Sequence, residues 1–283
     1  MIPPGVLQRV EAALGPVRLI TPVRGGCINL AARIDVDRAT VFLKWNLDAP
    51  EGLFAAEADG LRKLGAATTQ LRVPEVLDAW TEGLLLEWLE PAPRGISFSH
   101  QLGRALAALH QAPVVGPLAD NWIGPLPQAN THAPSWAEFW INRRLEPQLR
   151  RALNSGREPG NLSEWERLFA RIPEALAPAE HEGLSLLHGD LWSGNVLSTA
   201  VGPALVDPAV YRGHREVDLA MSELFGGFDA PFYYAYTEVW PLLPGYADTR
   251  RTIYQLYPLL VHVNLFGGAY IAQTAHLLRS ACF

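Results

Sequence analysis

The chain has 283 residues, 49% hydrophobic and 18% charged, which is enough for one large domain or two small ones with a real core. A formal net charge of −6 without any basic run argues against nucleic acid as the main partner. The N-terminus has no signal-peptide pattern, and two cysteines are too few for a disulfide framework, so the composition predicts a cytoplasmic protein.

The first third of the sequence is rich in short strand patterns. An amphipathic helix is predicted over residues 3–14, with proline at its start. A second helix is predicted over 50–65, where Pro50 opens the helix and Gly65 stops it. The strand patterns lie at residues 17–23, 28–36, 40–45, 73–80 and 83–90.

After residue 90 the pattern changes to longer helices. Amphipathic helices are predicted at 97–111, 135–153 and 163–176, and Ser97 or Ser99 is the N-cap of the first. A strand over 202–210 contains an acid near its end, and the remainder is mostly helical and rich in aromatic residues.

The change of pattern predicts two lobes. A small strand-rich N-terminal lobe over 1–89 precedes a larger helical lobe over 90–283, and a site is expected in the cleft between them. The longest apolar stretch, 256–272, is interrupted by His262 and Asn264. It therefore favours a buried helix over a membrane span.

Several familiar motifs are absent from the sequence, which narrows the possible chemistry. No Walker P-loop, no G-x-G-x-x-G after a strand, no G-x-S-x-G and no H-E-x-x-H occurs. A kinase set does occur, with an Asp five residues before an Asn in "LLHGDLWSGNVL" and a later Asp at the end of "ALVD". In chain order the set is Gly25, Gly26, Lys44, Glu57, Asp190, Asn195 and Asp207.

Phosphoryl transfer explains why these residue types are needed. Asn195 and Asp207 supply the hard oxygen ligands that Mg²⁺ prefers, and glycine N–H groups can approach phosphate closely. Lys44 would pair with the α- and β-phosphates of ATP, and Glu57 would fix the ammonium group. Asp190 is placed to accept the proton of the attacking hydroxyl.

Each element alone also has a plain structural explanation. The glycine pair is typical of a tight turn, a single strand lysine is usually solvated, and Asp190 and Asn195 could close a turn through side-chain-to-backbone bonds. Their joint occurrence in the right order favours a kinase. "HGD" replaces H-R-D, only ten residues separate Asp207 from Asp218, and no A-P-E follows. These departures favour a small-molecule kinase over a protein kinase.

With these residues in view, the chain resembles the fructosamine/ketosamine-3-kinase family, within the aminoglycoside-phosphotransferase and choline-kinase group. The tryptophan in "HGDLWSGN" and the long final run below are the specific parts of the resemblance. It implies an α+β, protein-kinase-like fold, with one key helix beside the small β-sheet lobe and a larger, mainly helical lobe. The matching segments are "RGGCINLA", "VFLKWN", "LLLEWLEP", "DNWIG", "LLHGDLWSGNV", "HVNLFGGAY" and "LVDPAVYRGHREVDLAMSELFGGF".

The resemblance also implies an activity. Members transfer the γ-phosphate of ATP to the 3-hydroxyl of a ketosamine, such as a fructosamine or a ribulosamine, and loss of the 3-phosphate then frees the amine. By this resemblance Asp190 is the proton acceptor, and the backbone of residues 87–89 (Glu87, Trp88 and Leu89) binds adenine. His188 and Asp218 would order the catalytic loop, although Asp218 could equally be a simple first-turn helix acid.

The substrate residues are open to two interpretations. Trp192, His262, Asn264 and Phe266 are candidates to contact the sugar or amine, but each could instead fill the core. Cys27 in the glycine turn is by default a small buried thiol. If it is exposed, we expect a Cys27–Cys27 disulfide and a redox-dependent homodimer in place of the monomer.

Two competing functions are also compatible with the sequence. The first is a kinase for another alcohol, such as an aminoglycoside, choline or an amino-sugar. The second is a pseudokinase that binds nucleotide without turnover, although the sequence keeps the Lys, Asp and Asn that a pseudokinase would lose. Membrane and nucleic-acid partners are not expected.

Overall fold

The computed structural model describes residues 2–23, 29–114, 116 and 118–281, and it has an α+β architecture. The helices are α1 (Pro4–Leu14), α2 (Leu53–Ala67), α3 (Phe98–Gln111), α4 (Trp136–Phe139), α5 (Glu146–Asn154), α6 (Leu162–Glu182), α7 (Glu216–Leu224), α8 (Ala230–Val239), α9 (Arg251–Phe266) and α10 (Ala269–Ala281). The strands are β1 (Val17–Val23), β2 (Leu30–Val36), β3 (Thr40–Trp45), β4 (Val76–Trp80), β5 (Gly83–Glu87), β6 (Asn121–Ile123), β7 (Leu126–Gln128), β8 (Ser185–Leu187), β9 (Val196–Thr199), β10 (Gly202–Leu205) and β11 (Tyr211–Gly213).

The N-terminal strands form one antiparallel sheet in the order β1-β2-β3-β5-β4. Alternation along β3 sends Val41 and Leu43 to a core that includes residues of α1. The opposite face packs on α2, whose Phe54 is fully buried beside Leu84 of β5. The sheet therefore lies between two helices, and alternate residues of β3 point towards α2.

Helix α2 differs at both ends from the prediction over 50–65. It begins at Leu53, after Gly52 in a left-handed conformation with φ of 81°, while Pro50 lies in the preceding turn. It continues through Gly65 to Ala67, so the prediction that Gly65 stops it was wrong. An interior glycine costs a helix only about 1 kcal/mol, which the buried face of α2 offsets.

The C-terminal region is built around helices that pack closely. Helix α3 crosses α8 at Gly103, where a β-carbon would lie 2.2 Å from the carbonyl oxygen of Phe232. The helix predicted over 135–153 is not uniform, because a π-helical turn, Trp140–Leu145, joins α4 to α5. Buried Trp140 packs edge-on against Tyr254 of α9 at a ring-centroid distance of 5.0 Å.

Backbone hydrogen bonds join the N-terminal sheet region to the helical region. Arg72, just before β4, pairs with β10: its N–H donates to Pro203 O at 2.9 Å, and its carbonyl accepts from Leu205 N at 2.9 Å. The N–H of Ala92 donates to Ser198 O at 2.7 Å. The predicted lobe boundary at residue 89 lies between these two connections, just after β5 ends.

The apolar stretch 256–272 forms most of α9 and the start of α10, and Leu259 and Leu260 are fully buried. Within the described ranges, no helix combines the length and the apolar character needed to cross a bilayer.

Candidate active site

The segment between β8 and β9 carries the predicted catalytic loop. It ends in a single 3₁₀ turn, Ser193–Asn195, that brings Asn195 back towards Asp190. The Asn195 amide donates to the Asp190 carboxylate at 3.2 Å and to the Asp190 carbonyl at 2.9 Å. The same Nδ2 lies 3.3 Å from the carbonyl oxygen of Asp207. The turn therefore brings together three residues that the sequence places up to 17 positions apart.

Asp190 has an altered protonation equilibrium. Burial raises the pKa of its carboxyl to about 7, and the nearby negative charge of Asp207 acts in the same direction. The hydrogen bond from Asn195 opposes both effects. A carboxyl with a pKa near neutrality is suited to general-base catalysis.

Lys44 lies between two carboxylates. Side chains alternate between the two faces of β3, so Lys44 points to the face opposite Val41 and Leu43, towards α2. There the Glu57 carboxylate accepts from the Lys44 Nζ at 2.9 and 3.0 Å. The Nζ is also 3.1 Å from Asp207 Oδ1. Burial opposes the charge on Lys44, but the attraction of Asp207 and Glu57 outweighs it and holds the lysine pKa above its ordinary value. Lys44 is therefore a fixed cation at the cleft.

The predicted metal ligands have the chemistry that Mg²⁺ requires. Asn195 makes its side-chain hydrogen bonds through Nδ2, which leaves Oδ1 without a partner in the described part of the chain. The Asp207 side chain is 41% exposed, so its carboxylate is open to the cleft. Mg²⁺ in nucleotide sites commonly binds one or two protein oxygens together with phosphate oxygens, and this pair fits that pattern. No group of three or more His, Cys, Asp or Glu that could hold a metal occurs among the described residues.

Asp218 contacts the catalytic loop directly. Its two carboxylate oxygens accept from the backbone N–H groups of His188 at 2.7 Å and Gly189 at 2.9 Å. Burial opposes its ionisation, but the hydrogen bond from His110 and the loop amides outweighs burial and lowers the Asp218 pKa. His110 Nε2 lies 3.2 Å from the carboxylate, a contact that no pattern in the sequence predicts. Its only signal is a histidine near the end of an otherwise apolar helix face.

His188 is a neutral structural member of the loop. The side chain is fully buried, and burial lowers its pKa. Its Nδ1 accepts from the Asp190 N–H at 3.3 Å, so Nε2 carries the proton and donates to Val206 O at 3.0 Å. His188 thus connects the catalytic loop to the strand that leads to Asp207.

The predicted adenine-binding segment follows β5. The Glu87 carboxylate accepts from Arg72 at 2.5 Å and from the Glu75 N–H at 3.2 Å, so this side chain is already engaged. Trp88 stacks on Phe42 with a centroid distance of 6.5 Å. The antiparallel register of β3 and β5, with Val41 opposite Glu87, directs the Trp88 N–H towards the Thr40 carbonyl. Among the described residues, the Leu89 N–H donates to no backbone carbonyl outside the helices and strands. The Leu89 N–H is therefore available to a ligand.

The candidate substrate residues lie in different surroundings. Trp192 is 36% exposed, and its ring covers Gly194, where a β-carbon would lie 2.2 Å from a ring carbon. His262 is half-buried among the rings of Phe225, Phe266 and Tyr270, and the centroid of Phe225 is 4.7 Å away. Gly25, Gly26 and Cys27 lie outside the described residues.

Asn264 does not turn its amide N–H₂ to the catalytic loop. This group donates to the carbonyl and side-chain oxygens of Gln148, at 2.9 and 2.8 Å. The Asn264 Oδ1 is buried without a partner among the described residues. These contacts join α9 to α5.

The sheet-plus-helix arrangement, the Lys44–Glu57 pair and the Asp190–Asn195–Asp207 cluster define a phosphotransferase of the protein-kinase-like class. The family model for fructosamine kinase matches residues 6–282. The chain belongs to this fructosamine kinase family.

Relatives with known names agree with this assignment. A protein named "Probable ketoamine kinase" from Enterococcus faecium is 41% identical, and the match covers 96% of this chain and 99% of the relative. A chloroplastic protein-ribulosamine 3-kinase from Oryza sativa subsp. japonica is 37% identical, with 92% of this chain and 77% of that protein covered.

Solved structures give the same result for the fold. The crystal structure of a candidate fructosamine-3-kinase from Thermobifida fusca has a TM-score of 0.87 and 37% identity, and the match covers 98% of each chain. An aminoglycoside phosphotransferase solved with AMP-PNP and hygromycin B has a TM-score of 0.64 and 16% identity, with 98% of each chain covered. At that identity the second comparison concerns the fold alone. The predicted family, the kinase-like α+β fold and the phosphotransferase class are confirmed.

Proposed function

We propose that this chain transfers the γ-phosphate of ATP to the 3-hydroxyl of a ketosamine, a fructosamine or a ribulosamine, and so starts the release of the amine. The observation that carries the proposal is the Lys44–Glu57–Asp207 cluster beside Asp190 and Asn195 in a member of the fructosamine kinase family. Names of relatives that include ketoamine kinase and ribulosamine 3-kinase support the substrate class.

The charged residues of the cleft would bind and orient the nucleotide. Lys44 pairs with the α- and β-phosphates, and Glu57 keeps its ammonium in place. Asn195 and Asp207 would hold Mg²⁺, which would supply neutralisation of the charge that develops on the phosphoryl oxygens. The backbone of residues 87–89 binds adenine, and the Leu89 N–H is its available donor.

Asp190 is the proposed general base. Its carboxylate would accept the proton of the substrate hydroxyl as the hydroxyl attacks phosphorus. Asn195 donates to the carboxylate and so restricts its orientation, and the Asp218 contacts with the loop backbone fix its position. In this scheme Asp218 and His188 position the base without contacting the reacting atoms.

The acceptor would lie against the aromatic side chains beside the loop. Trp192 is exposed enough to stack on a sugar, and His262 with its ring neighbours offers a second apolar surface. Gly25 and Gly26 are proposed to cover the phosphates of ATP. We place the nucleotide between an N-terminal lobe of residues 1–89 and a C-terminal lobe of residues 90–283, in a cytoplasmic enzyme.

The test is an ADP-release assay with Mg·ATP on four acceptors in parallel: deoxymorpholinofructose, a ribulosamine, kanamycin and choline. Turnover on a ketosamine that Asp190→Asn abolishes would support the proposal and rank the two sugars. Turnover on kanamycin or choline alone would mean that the substrate is another alcohol and not a ketosamine. If none of the four acceptors gave ADP release but the protein bound nucleotide, a pseudokinase would be favoured.

Cys27 gives a separate prediction about assembly. We propose a monomer that forms a Cys27–Cys27 disulfide under oxidising conditions, since Cys27 directly follows Gly25 and Gly26, whose N–H groups are proposed to face phosphate and would also stabilise a thiolate. Non-reducing gels after peroxide treatment should show a dimer for the wild type and none for Cys27→Ser. A wild type that stays monomeric contradicts the prediction.

A further inference from the structure

The segment that follows Asp207 is held by side chains from a distant hairpin. Strands β6 and β7 form this hairpin, residues 121–128. Asn121 Nδ2 donates to the carbonyl of Val210 at 2.7 Å, and Gln128 Nε2 donates to the carbonyl of Ala209 at 3.2 Å. The two acceptors are the second and third residues after Asp207 along the chain.

The backbone at Asp207 needs such restraint. Its φ is 53°, and it is the one non-glycine residue with positive φ among those the structure describes. A residue in this region costs of order 1–3 kcal/mol and persists only where its surroundings fix it. On the side that leads into Asp207, the Val206 N–H donates to Asn195 O at 3.1 Å, and the Val206 carbonyl accepts from His188 Nε2 at 3.0 Å.

The outgoing side is held by the catalytic loop and by the hairpin. The Ala209 N–H donates to His188 O at 2.9 Å, and the Ala209 and Val210 carbonyls accept from Gln128 and Asn121. The hairpin amides therefore supply the side-chain contacts that orient the backbone leaving Asp207.

The amides have a defined orientation of their own. The Gln128 side-chain oxygen accepts from the Tyr257 hydroxyl at 2.7 Å, and the Asn121 side-chain oxygen accepts from Gln128 at 2.8 Å and from Asn130 at 3.0 Å. Because both amide oxygens already accept from donors, both amide N–H₂ groups must face the loop carbonyls. Gln128 is 1% exposed, so water does not replace these bonds.

A buried arginine supports the hairpin. Arg144 is fully buried and donates to Asn130 Oδ1 at 2.7 Å and to Ala129 O at 2.6 Å. Its guanidinium lies over the ring of Tyr211 at 4.0 Å, and no carboxylate pairs with it within the described ranges. Its hydrogen bonds go largely to the segment that follows β7, which fixes Asn130 and, through it, Asn121.

From these contacts we propose that Asn121 and Gln128 are positioning residues for the metal ligand Asp207. The inference rests on the proposed role of Asp207 in holding Mg²⁺. The hairpin amides keep the backbone of residues 207–210 in the conformation that directs the Asp207 carboxylate into the cleft. Partners that orient a metal ligand typically contribute 10–100-fold to metal affinity.

The test measures metal binding rather than turnover. Binding of Mn²⁺ to the enzyme with a non-hydrolysable ATP analogue is followed by electron paramagnetic resonance. Gln128→Met keeps the volume and removes the donor, and we expect Mn²⁺ affinity to fall roughly 10–100-fold. Asn121→Ala, at a half-buried position, should weaken Mn²⁺ in the same direction. If Gln128→Met does not fold, Asn121→Ala decides alone.

Two further variants make the result interpretable. Thr274→Val removes a buried hydroxyl that donates to Tyr270 O at 2.7 Å in α10, and its Mn²⁺ affinity should equal that of the wild type. Asp207→Ala should abolish tight Mn²⁺ binding. If it does not, the proposed metal site fails and the inference fails with it. If it does, folded Gln128→Met and Asn121→Ala variants that bind Mn²⁺ within twofold of wild type would overturn the positioning role alone.

Discussion

Loss of the Asp190 carboxylate should affect turnover and leave nucleotide binding nearly unchanged. Asp190 accepts from Asn195 but makes no contact with Lys44 or Glu57. Asp190→Asn should therefore leave the Kd for Mg·ATP nearly unchanged while kcat falls roughly 10²–10⁴-fold, the usual range for a lost general base. Calorimetry with an ATP analogue and the coupled assay measure the two quantities. A variant with kcat within tenfold of the wild type would remove Asp190 from its proposed role.

Glu57 is expected to act on ATP affinity. In Glu57→Gln the ammonium of Lys44 keeps only Asp207 as an anionic partner, 3.1 Å away. The ammonium is therefore drawn towards Asp207 and leaves the position in which it faces the phosphates. We expect the KM for ATP to rise roughly tenfold, about 1.4 kcal/mol of lost binding. Asp59→Asn on the same helix is the matched control, since its carboxylate is 53% exposed and pairs with Lys63 at the surface. An equal KM change in both variants would mean that α2, rather than the ion pair, had been disturbed.

The residues of the candidate site divide into those with a local signal and those without one. The spacing of Asp190 and Asn195 predicted their proximity, because a single turn joins them. His110 and Gln128 gave no comparable signal, since their partners Asp218 and Ala209 lie 108 and 81 positions away. A hydrogen bond across that separation depends on the tertiary packing of helices and loops, which periodicity does not encode.

The close contact between α3 and α8 leaves no room for a β-carbon at Gly103. Gly103→Ala places a β-carbon 2.2 Å from Phe232 O and 3.0 Å from Tyr236 N, so the helices must move apart. Overpacking costs about 1–3 kcal/mol, which exceeds the roughly 1 kcal/mol gained in helix propensity. We expect a lower melting temperature, measured by circular dichroism.

Gly65→Ala is the matched control for that substitution. Its β-carbon would lie 3.8 Å from Val73 Cβ, an ordinary contact, and the position is helical and exposed. Here the propensity gain of up to about 1 kcal/mol should raise the melting temperature. If Gly103→Ala were also stabilising, the close approach of α3 and α8 would not depend on the glycine.

The bounds of a helix or strand could be predicted from the sequence where its hydrophobic residues follow a single clear periodicity. Strand β3 was predicted with its observed bounds because its residues alternate strictly between two cores. The π-helical turn Trp140–Leu145 was missed, since its periodicity is close to that of the α-helices on either side. The β6–β7 hairpin was also missed, because strands of three residues around two prolines carry no alternating pattern.

For the molecule as a whole, a buried ionic cluster connects distant parts of the helical region. Glu182, at the end of α6, accepts from Arg215 at 2.7 and 2.9 Å and from His214 at 2.8 Å. Arg215 also donates to the carbonyl oxygens of Trp240 and Pro241 beyond α8, at 3.1 and 2.6 Å. One carboxylate thus fixes a guanidinium that connects the ends of α6 and α8 to the start of α7.

This cluster predicts how stability depends on pH. Burial opposes ionisation of Glu182, but hydrogen bonds from His214 and Arg215 outweigh it and lower its pKa to about 2. Because the folded pKa lies below the unfolded value of 4.5, the stabilisation is complete from about pH 5.5 upwards and is lost as pH falls through 4.5 towards 2. Allowing for solvent screening, we expect Glu182→Gln to cost about 1–2 kcal/mol at neutral pH.

The pH dependence separates the charge of Glu182 from its packing. The difference in unfolding free energy between wild type and Glu182→Gln should be constant from pH 7 to about 5.5 and shrink steadily below pH 4.5. Urea unfolding at a series of pH values measures that difference. Glu174→Gln, at an exposed position on the same helix, should show no such trend. A Glu182→Gln difference that stayed the same down to pH 3 would mean that the carboxylate stabilises the fold through shape and hydrogen bonding, with no net contribution from its charge.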